Sequence, residues 1–213
     1  MKTGLLFDLD GTLLDTLDDL MDSTNYILAQ NGYPQRSRQE IRAFVGNGAR
    51  NLLLKAAPAG ADVDDLLARF QPYYAAHCQI KTKPYPGVEA VIAALREKYP
   101  VAIVSNKPDI AVKALCAQLF PGISAVGERP DCPRKPAPDM VKRAMAELEV
   151  DRCVYIGDSE VDVLTAKNAQ VPCLSVTWGF RDVKTLEEAG AKYFCHRAEE
   201  ISESIEKILE REH

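Results

Sequence analysis

Short apolar runs alternate with stretches of helical period along this chain. Leu5 to Leu9, Val101 to Ser105, Ile123 to Gly127, Cys153 to Gly157 and Cys173 to Thr177 are compact apolar segments that read as strands. Between them the apolar positions recur at helical spacing. Val88, Val91, Ile92 and Leu95 mark one helix, Ile110, Ala114 and Leu115 a second, and Met140, Val141, Ala144, Met145 and Leu148 a third. Strands that alternate with helices predict crossover units, and so an α/β fold on a parallel sheet. Strands with little polar alternation predict a sheet covered on both faces, a doubly wound arrangement.

One segment breaks this rhythm. Residues 15–82 carry helical patterns and no convincing strand. Leu17, Leu20, Met21, Thr24 and Leu28 form one stripe, and Val63, Leu66, Leu67, Phe70 and Tyr74 form another. Ser37 and Glu40 have the spacing of a capping box that opens a helix between them. Asn51 to Ala57 reads as one more helix, ended by Pro58-Ala59-Gly60. The domains expected are therefore a core over 1–14 and 83–213, and a helical insertion over 15–82 that leaves and rejoins the core near the end of the first strand, as a hinged lid would.

The candidate chemistry lies where the strands end. In an open parallel sheet, ligands bind beyond the carboxyl ends of the strands. The first strand runs into Asp8, Asp10 and Thr12. Asp8 and Asp10, two apart, leave a strand on the same face. Two carboxylates that close repel unless a cation or a proton lies between them. The second strand delivers Ser105-Asn106-Lys107, the fourth Gly157-Asp158-Ser159 and then Asp162, and Lys135 lies in Arg134-Lys135-Pro136-Ala137-Pro138 between the third and fourth. Asp8-x-Asp10-Gly11-Thr12 taken alone has the start of a calcium loop, but its glycine comes too early and no bidentate glutamate follows in register. Ser105, Asn106, Asp158 and Ser159 taken singly are also ordinary helix caps. Together they converge on one crevice, and the chemistry they fit is phosphoryl transfer through an aspartyl nucleophile, with Mg²⁺ and Lys135 offsetting the repulsion between carboxylate and phosphate.

Composition narrows the partners. The 213 residues carry a net charge of −5, so no basic surplus points to nucleic acid. No apolar run approaches the length that spans a bilayer, and Met1-Lys2-Thr3 does not open a secretory signal. The expectation is a cytoplasmic protein that meets neither membrane nor nucleic acid. Its six cysteines are scattered without a C-x-x-C pair and are expected as free buried thiols.

The strings Asp8-Leu9-Asp10-Gly11-Thr12, Ser105-Asn106, Lys135 before Pro136 and Gly157-Asp158-Ser159-x-x-Asp162 resemble the four motifs of the haloacid dehalogenase-like hydrolases, over essentially the whole chain. The resemblance implies a Rossmann-like core of strand order 5-4-1-2-3 with an inserted four-helix cap. It implies Asp8 as the nucleophile that becomes phosphorylated and Asp10 as the acid and base. It also implies Mg²⁺ on Asp8, the Asp10 backbone carbonyl and Asp158, Asp162 orienting that shell, and Thr12, Ser105, Asn106 and Lys135 at the phosphate. Asp10, Thr12 and Asp158 argue against the metal-free dehalogenase branch.

Asp15-Thr16-Leu17-Asp18-Asp19-Leu20, Val45-Gly46-Asn47-Gly48-Ala49, Tyr85-Pro86-Gly87-Val88, Ser105-Asn106-Lys107-Pro108 and Thr177-Trp178-Gly179-Phe180 resemble phosphoglycolate phosphatases. The expected substrate is thus a small phosphomonoester, 2-phosphoglycolate first. Pyrophosphatases, sugar-phosphate phosphatases and phosphomutases share parts of these strings, and a catalytically retired binding protein is the alternative outside enzymology. In the cap, Gly46, Asn47 and Gly48 are candidates for a substrate loop and Arg50 for a partner of a substrate carboxylate, set against an ordinary helix stop and a solvated arginine. Trp178 reads as packing. The resemblance leaves monomer or homodimer open.

Overall fold

The protein is described by a computed structural model over residues 1–211, in which the chain separates into two compact units. One unit is Met1–Leu14 with the chain from Pro84 onward, and the other is Asp15–Lys83. The chain opens with β1 (Thr3–Phe7) and the two-residue strand β2 (Leu14–Asp15). Four helices follow: α1 (Leu17–Gln30), α2 (Arg38–Phe44), α3 (Gly48–Ala56) and α4 (Val63–His77). Then come β3 (Lys83–Pro84), α5 (Val88–Arg96), β4 (Val101–Pro108), α6 (Asp109–Leu119), β5 (Ser124–Glu128) and α7 (Asp139–Leu148). The chain continues through β6 (Arg152–Gly157), α8 (Glu160–Ala169), β7 (Cys173–Val176), α9 (Val183–Glu188), β8 (Tyr193–Cys195) and α10 (Ile201–Arg211).

The core unit is a doubly wound α/β fold. Its six-stranded sheet runs β5-β4-β1-β6-β7-β8, with every neighbouring pair parallel. The five strands foreseen from the sequence keep their order, and β8 adds a sixth beside β7. Three residues between Lys192 and His196 are too short a run for periodicity to register. On one face of the sheet, Leu6, Ala102, Val104, Val126 and Tyr155 pack with Met140, Val141 and Ala144 of α7 and Ala166 of α8. Leu5 and Phe7 are also fully buried and alternate to the opposite face. Burial of each such side chain stabilises the fold by roughly 1.5–3 kcal/mol.

Register places the end of β1 at the centre of the sheet. Phe7 lies beside Ile103 of β4 and Ile156 of β6, and the Asp8 N–H donates to the Ile156 carbonyl at 2.8 Å. Asp8 therefore emerges between the ends of both neighbours. β4 runs three residues beyond the expected Ser105, and its ladder with β5 shifts register between Val104 and Pro108. That irregularity falls on Ser105, Asn106 and Lys107, where a break in pairing re-aims side chains.

In the second unit, α1 packs on α2 and α4, and α3 packs on α2 and α4. The capping box forms: Glu40 N–H donates to Ser37 Oγ while the Glu40 carboxylate accepts from the Ser37 N–H. The third helix starts at Gly48, earlier than the expected Asn51, so the glycine that reads as a turn residue opens the helix instead. Buried Asp19 of α1 accepts the N–H groups of Lys81 and Thr82 at 2.8–3.0 Å, tying the returning chain to the first helix. The six cysteines are free thiols, and no helix among the described residues is long and apolar enough to cross a membrane.

Candidate active site

Three carboxylates meet beyond the ends of β1 and β6. Asp8, Asp158 and Asp162 each bring an oxygen within 4.8 Å of the others, and all three are buried. Asp8 leaves β1, Asp158 leaves β6, and Asp162 lies in the first turn of α8. Carboxylates at that spacing repel strongly in a medium of low dielectric. Burial drives the Asp8 pKa well above its ordinary value, and Asp162, Asp158 and Asp10 push it the same way. Lys135 pulls in the opposite direction.

Lys135 is the counter-charge. Its ammonium lies 2.6 Å from Asp8 Oδ1 and 2.8 Å from Asp162 Oδ1, and it donates to the Tyr155 hydroxyl at 3.0 Å. Burial alone would lower the lysine pKa, but the Asp162 and Asp8 carboxylates outweigh it, and the pKa stands well above its usual value. Asn106 positions this lysine by its main chain: the Lys135 N–H donates to Asn106 Oδ1 at 2.7 Å, and Asn106 Nδ2 donates to the Lys135 carbonyl at 3.0 Å. The Lys135–Pro136 peptide is cis.

Asp158 is held on both oxygens. Thr12 Oγ1 donates to Oδ1 at 3.3 Å and the Phe180 N–H donates to Oδ2 at 2.6 Å. Its pKa is pushed up to about 7, chiefly by burial and then by Asp162, against the Phe180 hydrogen bond and the charge of Arg181. Glycines make the room. A Cβ on Gly11 (φ +91°) or on Gly179 would overlap the Asp158 carboxylate, and one on Gly157 would overlap Asp162. Asp162 turns its other oxygen to Ser159, accepting from the hydroxyl at 2.6 Å and the N–H at 3.1 Å.

Asp10 stands apart from the three clustered acids. Its Oδ1 lies 3.1 Å from Lys107 Nζ, and that lysine is almost wholly buried. Ser105, also buried, accepts from the Lys107 N–H at 3.3 Å. The core residues foreseen from the sequence thus divide by partner. Asp8, Asp162 and Lys135 form one ion-paired knot, Thr12 braces Asp158, Asn106 braces Lys135, and Asp10 faces Lys107.

One participant escaped sequence reasoning, and another was placed at a strand end without a role. Tyr155 reads as a core residue of an apolar strand, and its ring is buried, but its hydroxyl joins Lys135 to Asp162 (3.2 Å). Lys107 follows Ser105-Asn106 directly, and that adjacency was the available signal. The Trp178 indole N–H donates to the Thr12 carbonyl at 3.1 Å, so its packing is directed at the loop that follows β1. In the second unit, Gly46 and Gly48 both have positive φ, on either side of Asn47 at the start of α3. Arg50 is half exposed and pairs with Asp64, Nε to Oδ1 at 3.0 Å.

The carboxylate cluster suits a divalent cation by its chemistry. Its donors are hard oxygens with neither histidine nor cysteine among them, the set preferred by Mg²⁺ and Ca²⁺ over softer ions. Thr12, Phe180, Lys135 and Ser159 engage these acids from the protein side, in the manner of the outer hydrogen bonds that orient metal ligands.

Known proteins are similar to this chain over most of its length. A curated phosphoglycolate phosphatase of Rhodobacter capsulatus is 37% identical over 193 residues, covering 85% of this chain and 87% of its own. That of Mesorhizobium japonicum is 35% identical over 219 residues, covering 96% of each chain. A crystal structure from Lactobacillus delbrueckii subsp. bulgaricus, assigned by prediction as a phosphoglycolate phosphatase, shares 39% identity and a TM-score of 0.89 over 96% of this chain and 99% of that one. The family pattern of the haloacid dehalogenase-like hydrolases matches residues 5–176, a span that contains every acid and both lysines of the site. With that match and these relatives, the chain belongs to the haloacid dehalogenase-like hydrolases, as a phosphoric monoester hydrolase.

Proposed function

We propose that the chain hydrolyses 2-phosphoglycolate, with Mg²⁺, through a phosphoryl group carried transiently on Asp8. The observation that carries the reading is the buried Asp8 carboxylate, held by the Lys135 ammonium at 2.6 Å with Asp158 and Asp162 beside it. The substrate assignment rests on the curated relatives, which are phosphoglycolate phosphatases.

In this reading Asp8 attacks phosphorus and the alkoxide leaves. A carboxylate about 4 Å from each phosphate charge faces on the order of 4 kcal/mol of repulsion at an effective dielectric of 20. Lys135 offsets part of it from a position fixed by Asn106. Asp8, Asp158 and the Asp10 backbone carbonyl would hold Mg²⁺, which supplies the remaining positive charge at the phosphoryl oxygens. Asp162 keeps Lys135 and the Ser159 turn in place. Asp10 gives its proton to the leaving oxygen and then takes one from the water that attacks the phosphoryl-Asp8. Thr12 and Ser105 line the phosphate side. In the cap, the Gly46-Asn47-Gly48 turn is the proposed loop whose backbone approaches substrate, and Arg50 the proposed partner of a substrate carboxylate.

The test is a panel of phosphate esters with Mg²⁺ present, compared by kcat/KM. 2-Phosphoglycolate should rank first. A higher value for pyrophosphate or a sugar phosphate would replace the substrate, and conversion of a sugar phosphate without phosphate release would replace hydrolysis by mutase chemistry. Turnover that survives exhaustive chelation would remove the metal.

A further inference from the structure

The segment that leaves β7, Thr177 to Arg181, runs back over Asp158 and is tied down at Trp178, Phe180 and Arg181 among others. At one end the Trp178 indole N–H donates to the Thr12 carbonyl at 3.1 Å. In the middle the Phe180 N–H donates to Asp158 Oδ2 at 2.6 Å, and Gly179 packs too closely against the same carboxylate for any side chain to fit. At the other end Arg181 grips Glu160 with two nitrogens, Nε to Oε2 at 2.7 Å and Nη2 to Oε1 at 3.4 Å. Glu160 opens α8, two residues after Asp158, so the grip joins the loop to the helix start that carries both Asp158 and Asp162. Arg181 is largely buried, with 11% of its side chain exposed.

We propose that this loop is a positioning element for Asp158, and that Trp178 and Arg181 set the divalent-cation affinity of the site without touching the ion. A carboxylate on a short side chain rotates unless both oxygens are engaged. The Phe180 N–H fixes Oδ2 and Thr12 fixes Oδ1, which leaves the remaining lone pairs in set directions. The Phe180 N–H is useful only while the loop stays in place. Loop backbone is costly to order, and the Trp178 and Arg181 anchors hold it from both sides. A forked guanidinium grips a carboxylate with a fixed plane, which a lysine cannot do. The inference rests on the reading of Asp8 and Asp158 as cation ligands.

The experiment uses the full chain, stripped of metal, with Mn²⁺ as the probe, titrated calorimetrically while circular dichroism reports folding. Arg181→Met and Trp178→Phe should each raise the Mn²⁺ dissociation constant about 10-fold or more, the usual size for outer-sphere substitutions. Arg181→Lys should fall between Arg181→Met and the unaltered protein. Trp178→Phe removes one hydrogen bond and no charge, so its effect reads geometry rather than field. Should Arg181→Met not fold, Trp178→Phe decides. Folded variants that bind Mn²⁺ within two-fold of the unaltered protein would overturn the inference, even if their melting temperatures drop. If the unaltered protein itself takes up neither Mn²⁺ nor Mg²⁺, the cation reading beneath it fails instead.

Discussion

The Lys135 ammonium sits 2.6 Å from Oδ1 of Asp8, inside the protein and away from water. The same ammonium serves Asp162 at 2.8 Å. One cation therefore compensates two buried acids. Lys135→Met would leave both uncompensated, and removing one partner of a buried pair costs about 3–5 kcal/mol. Urea unfolding at neutral pH should show a loss of that order together with loss of turnover. A loss under 1 kcal/mol would mean that the acids shed their charge at little cost.

Asp8 and Asp10 divide the covalent and proton-transfer work of the proposed reaction. Asp8→Asn should leave no more than a few per cent of phosphate release. Asp10→Asn should lower kcat by roughly 10²- to 10⁴-fold, the range of general acid–base catalysis. The Asp10 loss should be larger for alkyl esters than for p-nitrophenyl phosphate, whose leaving group needs little protonation. Equal losses on both esters would take the acid role from Asp10.

The sequence carried most of the core and little of the insertion's chemistry. Three strand ends and one loop, carrying four carboxylates, two hydroxyls and a lysine, could be placed because a parallel sheet gathers its strand ends at one edge. The partnerships at that edge could not be read. Asn106 looks like a phosphate donor by type, yet both of its amide atoms serve Lys135. Tyr155 looks like core, because periodicity records that a ring is buried and not where its hydroxyl points. β8 was missed for brevity. Arg50 stayed ambiguous for a different reason: its partner Asp64 lies on another helix, and nothing local to α3 announces it.

Asp158 gives the site a pH dependence. Its pKa is pushed up to about 7 from an ordinary carboxylate value near 3.8. Between those values the folded chain binds more protons than the unfolded one, so this group's contribution to stability falls as pH rises from about 4 to 7. A cation must displace that proton. Mn²⁺ or Mg²⁺ affinity should therefore climb from pH 5 to about 7, while the melting temperature of the metal-free protein declines over the same interval. Calorimetric titrations at several pH values check both. An affinity that does not change between pH 5 and 7 would mean Asp158 is already ionised at the lower end.

Gly157 closes β6 directly against Asp162, where a Cβ would collide with the Asp162 side chain. Gly157→Ala should force Asp162 off Lys135 and Ser159. The expected result is a folded protein of lower melting temperature whose phosphatase activity falls at least ten-fold, since misplacement by about 1 Å can cost 10²-fold. Full activity in Gly157→Ala would show that Asp162 can move without consequence.

Lys135 reaches Asp8 across 127 residues of chain, and Asp162 across 27. Contacts that distant carry a loop-closure penalty and form only once much of the sheet exists. Without the lysine, Asp8 and Asp162 would lose the cation they share. A fragment that lacks the stretch between β5 and α7 would lack the ammonium that Asp8 and Asp162 share, and with it the charge balance of the site.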